Sequence, residues 1–184
     1  MDQVASLHDE IGQDIWKWIN HFVTVPNEFY RGKFPPCPFA RRAVVTATVD
    51  TAVWRSGDVR AFILEKSIEM RDHKALTTRV MAFPPRVQFQ WGISEYIESR
   101  NAELIPDNVF LNTGIAKTTK SRYPGSAPDT PYFIVVANSL DAVLSGAEML
   151  EKTDYYRDWP SEHRELVVER RARMAQRYGR PPAS

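Results

Sequence analysis

The run Tyr132-Phe133-Ile134-Val135-Val136-Ala137 is the strongest constraint on what this chain can become. Six consecutive apolar residues fall far short of the roughly 20 that a membrane helix needs. They also lack the polar alternation of a strand that is wet on one face. They read as a central strand buried on both faces, so other strands must flank it and helices must cover it.

The flanking segments supply those partners. Leu7, Ile11, Ile15, Trp18, Ile19, Phe22 and Val23 recur at spacings of three and four, which predicts an amphipathic helix over 4–23. Val25-Pro26 should end it, because the residue before a proline is driven out of helical geometry. The β-branched stretch Ala43–Val49 reads as a strand, as do Ala75–Phe83 and, more weakly, Val109–Ala116. Ser56-Gly57-Asp58 starts a helix that runs to about Asp72, with Ser56 able to cap and Asp58 suited to the dipole. Further helices are expected over 86–104, over 140–152 behind the caps Asn138 and Ser139, and over 159–178.

Strands joined through helices, with two adjacent strands near the end, predict an α+β fold. We expect a two-layer sandwich, in which a mixed four-stranded sheet packs against helices. It would carry an N-terminal amphipathic helix and a C-terminal charged helix. The 184 residues suit one domain over 1–184. Within it, residues 26–42 form a Pro-rich loop with a distinctive box, and 158–184 the last helix and tail.

Charge and cysteine usage narrow the function classes. The formal net charge is +1, so no global field favours nucleic acid or an anionic membrane surface. With one cysteine there is no internal disulfide and no cysteine-rich zinc site. The first residues show neither a basic-then-apolar signal nor an Arg-rich transit pattern, so a cytoplasmic location is expected. No Gly-x-Gly-x-x-Gly or P-loop is present, and the sequence names no cofactor. His8, His21, His73 and His163 form no pair at metal-ligand spacing on one helix.

The segment Phe34-Pro35-Pro36-Cys37-Pro38-Phe39-Ala40-Arg41-Arg42 carries the most chemistry. With Cys37 as N-cap and Pro38 as first helical residue, the thiol would face the free amides of a short helix. The helix dipole, with Arg41 and Arg42 close by, would lower its pKa and make it a nucleophile. The alternative is that Cys37 is a small hydrophobe wrapped by Phe34, Pro36 and Phe39. His21 is the nearest histidine in sequence and the candidate base for a Cys–His pair.

Cys37-Pro38-Phe39-Ala40 after an amphipathic helix resembles the CPFA box of a bacterial family, the domain-of-unknown-function 1415 family. Leu76-Thr77-Thr78-Arg79-Val80-Met81-Ala82-Phe83-Pro84 is similar to that family's Thr-Thr strand ending in Phe-Pro. The likeness spans roughly 10–145. It departs at Pro36, where the family has Leu, and at Ile115-Ala116-Lys117, where the family has a His-Pro segment. The resemblance implies the fold and the choice of Cys37, and it names no reaction.

Two functional classes stay open. One is a small-molecule metabolic enzyme of unassigned reaction, with Cys37 as thiolate and His21 as base. Arg41 or Arg42 would hold an anionic group, Thr77 or Thr78 would offer a hydroxyl, and Arg122 would bind an anion in the loop Ser121–Ser126. The other is a non-catalytic accessory protein that docks a partner, or a second copy, through its first helix or its Arg-rich last helix.

Overall fold

The computed structural model describes residues 2–90, 92–114 and 131–179. The chain is an α+β sandwich built on a mixed four-stranded sheet, as the sequence predicts. Helix α1 spans Asp2–Trp18 and ends in a wide π turn over Ile19–Val23. Helix α2 (Pro38–Val45) leads to strand β1 (Val49–Val53), and α3 (Val59–Asp72) leads to β2 (Thr78–Phe83). Helix α4 (Ile93–Leu104) precedes β3 (Val109–Gly114) and β4 (Phe133–Ser139). Helix α5 (Leu140–Glu151) follows directly. The chain closes with α6 (Ser161–Arg164), a π turn over Glu165–Glu169 and α7 (Arg170–Arg177).

The sheet order is β1-β2-β4-β3. Strands β1 and β2 run parallel, with Thr51 opposite Val80, and β4 is antiparallel to both β2 and β3. Helices cover both faces, which the alternation along the central strands makes visible. Met81, Phe83, Val135 and Ala137 point to Ile63, Met70, Ile93 and Ile97 of α3 and α4. Val80, Ala82 and Ile134 point the other way, to Ile11, Ile15 and Ile19 of α1. The expected helical stripe of α1 is therefore the face that docks.

Polar side chains seal the joints. Asn101 on α4 is fully buried and satisfies both backbone groups of Leu111. Its Nδ2 donates to the Leu111 carbonyl at 3.1 Å, and its Oδ1 accepts from the Leu111 amide at 2.7 Å. That closes an otherwise open sheet edge. Arg79 on β2 donates to Asp50 on β1 and to Glu69 on α3, at 2.7 and 2.8 Å, so one guanidinium ties two strands and a helix.

Three local expectations are corrected. Ala43–Val49 is not a strand: α2 continues through Val45, Ala47 takes the left-handed φ of +53° that ends it, and the strand begins at Val49. The N-terminal start signal at Cys37-Pro38 outweighs β-branched residues, which cost a helix only tenths of a kcal/mol each. The helix expected over 86–104 is interrupted. A 3₁₀ turn covers Pro85–Phe89, Gly92 sits at φ +69°, and α4 starts at Ile93. Val136, expected in the core with Ile134, is only half-buried, because it lies at the margin of the α1 contact.

Val135 is fully buried between the sheet and α3/α4. Val135→Asp should therefore abolish cooperative folding, because an unpaired buried carboxylate costs several kcal/mol or more. Val136→Asp, one residue along and half in solvent, should fold with a lowered melting temperature. Thermal melts followed by circular dichroism check the pair, and equal effects would contradict the face assignment.

Candidate functional site

Cys37 is the N-cap of α2 and Pro38 its first residue, as the sequence predicts. The approach is fixed from both sides. The Cys37 amide donates to the Val23 carbonyl at 3.1 Å, and the Tyr155 hydroxyl donates to the Pro36 carbonyl at 2.6 Å. Tyr155 in turn stacks flat on Tyr30, with ring centroids 4.6 Å apart, and meets Phe34 edge-on. The Pro-rich loop is thus clamped by an aromatic cluster from the segment between α5 and α6.

The thiol does not behave as expected. The residue is half-buried, but burial of the sulfur dominates and pushes the Cys37 thiol above its ordinary value. The Ala40 and Phe39 amides pull it down, as helix-start geometry requires, and lose to desolvation. Arg41 and Arg42 are exposed, and the cation whose charge pulls the thiol down is Arg171 of α7. Arg171 is 9% exposed, lies over the Phe110 ring at 5.6 Å and donates from Nη1 to the Val143 carbonyl at 3.4 Å. Sequence reasoning missed it because position 171 sits in a charged run that looks solvated. The signal available was the stripe it shares with Met174 and Ala175, both buried.

His21 is exposed and lines a groove beside β1, and no hydrogen bond joins it to Cys37 among the described residues. Arg122 and the loop around it lie outside the described residues.

What the fold does assemble is a slot of about 620 Å³ between α2 and α5. Its floor is apolar, formed by Phe39, Ala43, Val143, Met149 and Leu150. Arg42, Thr46 and Thr48 stand on one wall with Thr77 and Thr78 from the start of β2; Ser145 and Thr153 stand opposite. Three of the expected ligand residues, Arg42, Thr77 and Thr78, thus meet in one cavity, while Arg41 does not line it. Three of the wall hydroxyls, those of Thr46, Thr48 and Thr77, form a chain. Thr46 and Thr48 are 3.1 Å apart, Thr48 and Thr77 are 2.8 Å apart, and the Thr78 hydroxyl donates to Asn138 at 3.2 Å. Cys37 lies one residue behind the slot wall and does not line it.

Helix α2 is seated closely on α5 beside the slot. Phe39 rests on Gly146, where any Cβ would overlap the Phe39 ring. Glycine lets the ring sit against the helix backbone.

The last helix does not present a free cationic face. Arg170 pairs with Glu98, Arg173 with Glu165, and Arg164 with Glu151 at 2.7 Å. Among the described residues no group of three His, Cys, Asp or Glu side chains could hold a metal ion, and no helix is long and apolar enough to cross a membrane. No family model, no curated protein and no solved structure matches the chain.

Desolvation also lifts the tyrosines around the box: Tyr30 and Tyr155 are raised, and Tyr156 reaches about 12. The folded chain then keeps protons that the unfolded chain releases above about pH 9 for the thiol and about pH 10 for the phenols. Stability should be full below that range and fall as pH rises toward about 12. Melts from near pH 8 to near pH 11 should show the loss, and disulfide-exchange labelling of Cys37 at neutral pH should be slow until the protein unfolds. A flat pH profile, or fast native labelling, contradicts the buried cluster.

Proposed function

We propose that this domain is a small-molecule protein that holds a compact amphipathic anion in the slot between α2 and α5. The observation that carries the reading is the convergence of Arg42 and five threonines on a largely apolar lining. Ligand pockets of this kind are mostly apolar, with a few polar groups that fix orientation. The apolar body would lie over Phe39, Val143 and Leu150. The anionic end would meet the Arg42 guanidinium, which has no ion pair among the described residues, beside threonine hydroxyls whose own protons go to carbonyl groups of the chain.

The enzymatic reading of Cys37 draws its support from the box and the helix start. Against it stand the raised thiol, the lack of a base hydrogen-bonded to it among the described residues and its place behind the slot wall. Cys37 is better read as a packing residue that seats α2. Partner docking through the last helix has less support, since this chain's own glutamates take most of its arginines.

Octanoate and 1-anilinonaphthalene-8-sulfonate both pair an apolar body with an anionic end and serve as probes. Each should bind the native chain and compete with the other. Arg42→Ala should weaken binding about tenfold, about 1.4 kcal/mol, with little change in melting temperature. Calorimetric titration checks both, and octanol binding as tightly as octanoate would contradict the anionic end.

A further inference from the structure

A second cavity shares no lining residue with the α2–α5 slot. It is a groove of about 620 Å³ between α1 and the outer face of β1. Trp16 supplies its aromatic wall: the indole is half-buried against the core around Ile15 and Ile19, so it is held in place. Gln13 and Asn20 flank it one turn to either side, each with an amide that both donates and accepts. Lys17 and Arg55 bring cations from α1 and from the end of β1, and no carboxylate lines the groove. Lys17 reaches Asp14 at 3.4 Å outside the lining, whereas Arg55 has no ion pair among the described residues.

Gly12 adds an independent observation. It sits inside α1, where glycine costs a helix about 1 kcal/mol relative to alanine. No packing neighbour requires it, since a Cβ there would meet nothing within 4 Å. It lines the groove beside Trp16, so a large side chain at this position would project into that open space. An indole for stacking, two side-chain amides in the same lining and a guanidinium without an ion pair among the described residues form a chemically consistent set.

We infer that this groove binds a mononucleotide, with the base stacked on Trp16, its edge read by Gln13 and Asn20, and the phosphate held by Arg55 and Lys17. The volume falls within the range of small-molecule sites, about 300–1,000 Å³.

The test is calorimetric titration of the full chain with AMP, GMP, CMP and UMP at low salt, with adenosine, inorganic phosphate and a single-stranded octanucleotide alongside. At least one mononucleotide should bind with a Kd below about 1 mM. Arg55→Glu should weaken it more than tenfold. Gly12→Met should weaken it similarly while melting no lower than the native chain, which separates filling of the groove from damage to the fold. Neither change should alter octanoate binding in the other cavity. The inference is overturned if no mononucleotide binds at about 10 mM, or if adenosine or phosphate alone binds as tightly as the best nucleotide. It is also overturned if both variants bind like the native chain. Tighter binding of the octanucleotide than of every mononucleotide would overturn the assignment to a free nucleotide.

Discussion

The ring of Phe39 lies where a side chain at position 146 would have to be, and that single close approach sets the geometry of the α2–α5 region. Phe39 is the second residue of α2, so the contact fixes the start of that helix against the middle of α5. Arg42 and Ala43 are placed one turn on, and Thr46 and Thr48 follow as α2 ends and the chain turns into β1. The Thr48–Thr77 hydroxyl contact at 2.8 Å then joins that turn to the start of β2. A glycine costs α5 helical propensity and is retained where a close approach needs it.

A competition between burial and charge decides the chemistry behind the slot. Helix-start amides and the Arg171 guanidinium favour a Cys37 thiolate, but the aromatic cluster of Tyr30, Tyr155 and Trp159 excludes water from the same space. Desolvation wins, and the thiol stays protonated. A proline box at a helix N-terminus is therefore compatible with an inert cysteine. The deciding term is the packing from the α5–α6 segment, which is far away in sequence.

Much of the architecture was legible because it rests on periodicity. The stripe Ile11, Ile15, Ile19 and the run Phe133–Ala137 fix which faces are buried, and the antiparallel pairing of β3 with β4 follows from their order. Capping chemistry was also legible at Cys37-Pro38 and at Ser139, whose hydroxyl accepts from the Ala142 amide. Asp58, expected only to suit the dipole, is itself the cap of α3. Boundaries failed where two local signals met, as at Ala43–Val49, where a helix start and β-branched residues compete. The candidate site was legible only in part. Arg42, Thr77 and Thr78 belong to it, but their partners Phe39, Ser145 and Thr153 come together through tertiary packing, which no local pattern encodes. The place of His21 has the same origin: α1 crosses one face of the sheet, and His21 lines the groove beside β1.

The central claim is that the α2–α5 slot takes a small amphipathic anion. Amide chemical-shift mapping on isotopically labelled protein titrated with octanoate tests it most directly. Shifts should concentrate at Ala43, Thr46, Thr48, Thr77, Ser145 and Leu150, and leave the amides of Gln13, Asn20 and Thr51 beside β1 unmoved. Shifts confined to the β1 groove, or no saturable shifts at all, would contradict the account.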